Sequence, residues 1–160
     1  MISLLFSHGG DLGSRAIEWF GGGPKYSHVD AIMPDGKLLG SRSDEVGGAI
    51  SGVWIRNADY LGDKPTLRVD LPCTLQQETL FYDFLEKQIG KRYDKLAIFS
   101  FATGRNWQDD DAWFCDELQA AALVSCGYFK FPLASPANRI TPGDLLLVLS
   151  AFVEIRNPRP

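Results

Sequence analysis

Apolar and polar residues alternate in short runs through much of the first half of the chain, whereas the second half repeats its apolar positions at helical spacing. Residues 2–6 form a short apolar run that predicts a buried strand. Residues 11–20 place Leu12, Ala16, Ile17 and Phe20 on one helical face, and Gly21 to Pro24 end it. Residues 26–33 predict a second strand, residues 34–37 a hairpin turn and residues 37–41 the returning strand, with two more strands over 49–56 and 66–71. Thr74 followed by Gln77 is a capping box. Behind it Leu80, Phe81, Phe84, Leu85 and Ile89 mark the buried face of a helix closed by Gly90. Asp94 opens a helix expected to reach Thr103, residues 104–111 are a polar loop, and a further helix runs from Cys115 to a stop at Gly127. Thr141 to Asp144 reads as another helix start, after which residues 145–155 are apolar enough for either a short helix or a buried strand. Strands early and helices late, without repeat or linker, predict one α+β domain over residues 1–160 built on an antiparallel sheet.

With 160 residues, 45% of them hydrophobic and 22% charged, the chain is long enough for a single core. The formal net charge of −4 and the isoelectric point near 5.1 argue against partners bound through phosphate, whether DNA, RNA or anionic lipid. Three cysteines at uneven spacing form neither a disulfide framework nor a metal-binding pair, which favours a reducing compartment. The first residues lack the basic flank and apolar length of a signal peptide, and no apolar stretch approaches the roughly 18 residues of a membrane span. The expectation is a soluble, cytoplasmic protein with no integral membrane segment.

Cys115 precedes an alanine-rich amphipathic run, so its thiol is expected in the first turn of a helix, where unpaired amides and the helix dipole favour thiolate. The competing reading is a small buried hydrophobe, the commonest fate of an intracellular cysteine. Cys73 and Cys126 read as packing. A thiol nucleophile needs a base, and His28, at the start of a strand, is the candidate; His8, next to Gly9 and Gly10, reads as a surface residue. Asp30 lies two residues along the same strand and offers to orient the imidazole, although same-face neighbours stand about 6–7 Å apart. Ser41 on the returning strand is the alternative orienter. Asp109, Asp110 and Asp111 read as a solvated acidic run, not a cation site. Trp54 and Trp113 are candidates for lining a groove, and the glycines at 21–23 precede no phosphate loop.

The ordered set Tyr26-Ser27-His28-Val29, Asp35-Gly36, Gly90 to Asp94, Trp113 to Leu118 and Thr141 to Leu145 resembles the permuted papain-like amidase superfamily. It is similar to the YiiX-like and lecithin:retinol acyltransferase-like groups, relatives of NlpC-type peptidases in which the histidine strands precede the cysteine helix. The resemblance implies a papain-like fold, with Cys115 as nucleophile at a helix N-terminus packed on a small antiparallel sheet that carries His28. It also implies that Tyr93 helps bind the oxyanion. Asp116 stands where relatives usually have serine, and Gly40, beside Ser41, stands where a polar third residue is common. The implied activity is hydrolysis of an amide, such as a cell-wall peptide or isopeptide, through an acyl-enzyme that needs no metal or cofactor. Hydrolysis or transfer of a lipid acyl ester is the alternative chemistry, and a catalytically silent binding module is the alternative class.

Overall fold

A computed structural model describes residues 1–8, 26–94, 112–130, 133 and 140–153. The helices expected over 11–20 and 95–103, and the acidic run at 109–111, lie outside the described residues. Five strands form one antiparallel sheet: β1 (Ile2–Ser7), β2 (His28–Ile32), β3 (Leu38–Arg42), β4 (Gly52–Arg56) and β5 (Thr66–Leu71), in the spatial order β4-β3-β2-β1-β5. Alternation sets the register. Leu4 lies opposite both Ala31 and Val69, so Ile2, Leu4, Phe6, Val29, Ala31, Leu67, Val69 and Leu71 all enter the core. A slip of one residue would turn this whole set outward, which makes any other pairing of β1 costly.

Three helices are described: α1 (Leu75–Glu86), α2 (Cys115–Ser125) and α3 (Pro142–Ser150). Phe81 and Leu85 of α1 and Leu118, Ala122 and Leu123 of α2 join the same core as the sheet residues. The fold is therefore α+β. The capping box at α1 is present in both directions, Gln77 N–H to Thr74 Oγ1 and Thr74 N–H to Gln77 Oε1, each 3.1 Å. Two of the residues assigned to its buried face are exposed, and Phe84 is half-buried. Leu80 is 43% exposed because it sits about 100° from Phe81 at the edge of the stripe, and Ile89 is 36% exposed because the helix has already ended at Glu86. Thr141 and Asp144 form the corresponding box at α3, with Pro142 at its first position. That start signal resolves the apolar run after residue 145 into helix as far as Ser150.

The strand expected over 49–56 begins only at Gly52, since a tight turn closed by Ala49 N–H to Val46 O occupies the preceding residues. Behind this turn lies Arg56, 1% exposed, whose guanidinium donates to four backbone carbonyls: Gly40 and Trp54 from Nη1, Ile50 and Gly52 from Nη2. A 3-10 turn, Ala58–Leu61, follows β4. Beyond α1 the chain returns to the free edge of β4 through Val53 N–H to Lys91 O and Gly90 N–H to Val53 O. It then forms β6 (Arg92–Tyr93), paired in parallel with β7 (Ala112–Trp113) immediately ahead of α2. Among the described residues no helix is long and apolar enough to cross a membrane.

Candidate active site

Alternation on β2 sends Val29 and Ala31 into the apolar core and leaves His28 and Asp30 together on the opposite face, where each is only 2% exposed. His28 Nε2 lies 2.9 Å from Asp30 Oδ2, so the side chains bridge the 6–7 Å that separates same-face positions on a strand. The ring N–H is not aligned for an in-line hydrogen bond, which makes the contact chiefly an electrostatic one. Tyr60, from the 3-10 turn, donates its hydroxyl to the same Oδ2 at 2.5 Å. Nothing in the sequence pattern had marked Tyr60.

Room for the carboxylate comes from β3. Pairing of Ala31 with Leu39 sets Asp30 opposite Gly40, and a Cβ at position 40 would stand 1.8 Å from Asp30 Oδ1. The glycine that looked like a missing polar residue is the space that Asp30 fills. Arg42, two residues further and 2% exposed, stacks over the Tyr60 ring with its guanidinium carbon 4.8 Å from the centroid, and holds Asp44 through two bonds of 2.7 and 2.9 Å. Burial alone would raise the Asp30 pKa. The His28 contact, the Tyr60 hydroxyl and the Arg42 charge outweigh it and bring the carboxyl down to about 2. Tyr60 moves the other way: burial, then the neighbouring Asp30 charge, hold its phenol well above the ordinary range.

Cys115 is the first residue of α2, as its context predicts, and is 2% exposed. The helix it opens packs against β2 and β3, and Gln119, one turn along, donates to Leu39 O at 3.0 Å. Ser41 Oγ donates to Trp113 O at 2.6 Å, tying β3 to the strand that delivers the cysteine. The hydroxyl considered as an alternative orienter is thus committed to backbone, and the carboxylate beside the imidazole is that of Asp30. Tyr93 is buried, in register with Trp113, and its ring packs 5.4 Å from that of Phe114, the residue before Cys115. Trp113 is braced by Gln88 through its indole N–H, while Lys91 stands over its ring.

The two acids after the cysteine are buried in the first turn. Asp116 Oδ1 lies 3.7 Å from Cys115 Sγ, and its Oδ2 is buried without a hydrogen-bond partner among the described residues. Burial pushes this carboxyl well above the usual range, against bonds from the backbone amides of Asp116 and Glu117. Burial thus works against a negative charge beside the thiol. Glu117 accepts from Phe114 N–H at 3.3 Å and caps the helix; burial, with some help from the charge of Asp94, raises it to about 7.

No protein-family model matches the chain, and no curated protein matches it. Among the described residues no group of His, Cys, Asp and Glu is arranged to hold a metal ion.

The buried acids set the pH dependence of folding. Glu117 ordinarily ionises near 4.5 and in the fold near 7, so its favourable contribution is complete below about pH 4.5 and is lost as the pH rises through about 7. At about 1.4 kcal/mol per pH unit, the loss is on the order of 3 kcal/mol. Asp116 adds to it in the same direction. Asp30 is of opposite sign: its contribution is present above about pH 4 and is lost as the pH falls toward about 2. Melting temperature is thus expected to be highest near pH 5 and to fall by several degrees at pH 8, with Glu117→Gln flattening the slope. Thermal melts across that range check this, and a melting temperature rising from pH 5 to 8 would contradict it.

Proposed function

We propose that this protein is a cysteine hydrolase of the permuted papain-like kind, acting on an amide bond in a peptide or isopeptide. The observation that carries the reading is the His28–Asp30 contact at 2.9 Å, on a strand against which the helix opened by Cys115 packs. Because Asp30 holds Nε2, Nδ1 is the nitrogen left to take the thiol proton. In this mechanism Cys115 gives its proton to His28 Nδ1, and the thiolate attacks the carbonyl carbon. Asp30 stabilises the imidazolium so formed. The tetrahedral oxyanion is met by backbone N–H groups of the α2 N-terminus and by the Tyr93 hydroxyl. His28 returns the proton to the leaving amine, and water, deprotonated by the same ring, cleaves the thioester. Ser41 acts in this scheme through the backbone it fixes at Trp113. No metal or cofactor takes part. An acyl-ester substrate with transfer to an amine or alcohol would use the same residues.

Burial of Cys115 favours a second reading, a binding module that retains the fold without turnover. Iodoacetamide labelling with peptide mapping separates the two. Cys115 is expected to label at pH 6, where ordinary thiols are protonated, and Cys73 and Cys126 only as the pH rises; burial pushes the Cys126 thiol up in any case. Intact-mass measurement after exposure to peptide and acyl-ester probes then reads the substrate class from the adduct on Cys115. Labelling of Cys73 first, with Cys115 inert from pH 6 to 8, would leave the binding module as the better reading.

A further inference from the structure

We infer that Tyr60 is a positioning residue of this site, its hydroxyl fixing the Asp30 carboxylate against His28 and its ring holding Arg42 away from that carboxylate. The inference deepens the hydrolase reading and rests on it for its catalytic meaning. Its structural content stands on contacts alone. Oδ2 of Asp30 receives both the Tyr60 hydroxyl and the His28 ring, while Oδ1 is buried over Gly40 without a hydrogen-bond partner among the described residues. A buried carboxylate with one weakly aligned partner would tend to take up a proton, and a protonated Asp30 could no longer stabilise an imidazolium. The tyrosine hydroxyl supplies a donor that carries no charge. It therefore favours the ionised carboxylate without competing with His28 for the ion pair.

Arg42 explains why the donor is a phenol. A guanidinium bonded directly to Asp30 would take both oxygens in a fork and draw the carboxylate from the imidazole. Instead Arg42 lies over the Tyr60 ring, within reach of its hydroxyl oxygen, and is turned to Asp44 by two bonds, so it acts on Asp30 through its charge and not through a bond of its own. Among the described residues, the charged and titratable groups around Asp30 are His28 on β2, Arg42 on β3, Arg56 on β4, Asp44 in the following connection and Tyr60 itself. Of these only Tyr60 and His28 touch the carboxylate in the contacts described above.

The test is Tyr60→Phe, which keeps the ring and the stacked arginine and deletes the donor. Carbon-13 NMR of labelled aspartate follows the Asp30 carboxyl directly, without any need for turnover. The expected result is an upward move of its titration by about one pH unit, the size of one lost hydrogen bond to a buried carboxylate. With a substrate in hand, kcat should fall about tenfold at unchanged KM, and the acid limb of the rate profile should move up with the carboxyl. An Asp30 titration that does not move overturns the inference, whatever the activity. Should Tyr60→Phe fail to fold, 3-fluorotyrosine incorporation makes the phenol a stronger donor and should move the Asp30 titration down; no movement there also overturns it. Failure of the hydrolase reading has a different signature: Cys115 inert in the wild-type protein while the Asp30 titration still responds to Tyr60.

Discussion

Cys115→Ala and His28→Ala are each expected to lower turnover by a thousandfold or more, about the effect of removing one member of a nucleophile–base pair. The two changes should differ in what they do to the fold. Cys115→Ala deletes one sulfur from a buried site and is expected to cost about 1 kcal/mol. His28→Ala also removes a buried ring packed against the Asp30 carboxylate and leaves a larger cavity, so its melting temperature should fall further. His28→Gln fills most of the imidazole volume and separates lost chemistry from lost packing: it should fold and remain inactive. Turnover measured beside thermal melts decides the matter. Near-full activity in Cys115→Ala, or an experimental structure of a covalent adduct on Cys115 with the imidazole of His28 out of hydrogen-bond reach of the sulfur, would end the hydrolase proposal.

Gly40→Ala is the second change with a large expected effect. Its Cβ would fall 1.8 Å from Asp30 Oδ1 and 2.9 Å from Cγ, while the Asp30 backbone, at 3.5 Å, is in ordinary contact. Asp30 must therefore rotate, and rotation breaks its contacts with both His28 and Tyr60. The variant is expected to behave as Asp30→Ala does, losing roughly a hundredfold in activity, the usual scale for a disabled acid–base partner. A destabilisation of about 1–3 kcal/mol should accompany it. Comparing the two single variants with the double variant checks this. Equal activity losses that do not add place Gly40 and Asp30 in one unit, and full additivity would refute the assignment.

Much of the sheet was legible because alternation is a local property. The cores of β1, β2, β3 and β5, and the boxes that start α1 and α3, follow from neighbours within a few residues. Elements that owe their shape to distant partners were not. The two-residue strands β6 and β7 are too short to carry a period, and the turn at 46–49 displaced the expected start of β4. In the site, Cys115 at a helix start and His28 on a strand could be read from context. The reach of Asp30 to the ring could not, since strand geometry fixes Cα spacing and leaves the side-chain rotation to packing. Tyr60 is 30 positions from Asp30 and is brought there by the fold. Gly40 did leave a trace, a glycine where a polar residue was expected, and the trace became readable only with Asp30 placed opposite it.

Arg56 has a consequence for how this protein can diverge. Its guanidinium recognises four carbonyl oxygens, a group common to every residue type, so it ties the end of the 43–51 connection at Ile50 to β3 at Gly40 and to β4 at Gly52 and Trp54, whatever side chains those residues carry. That connection lies against the turn bearing Tyr60, where Gly47 O accepts from Asn57 N–H. Apart from Asp44, whose carboxylate holds Arg42, and the glycines at positive φ, its outward side chains make no such demand. The backbone behind Asp30 is then held in large part through one codon, that of an arginine hidden from solvent.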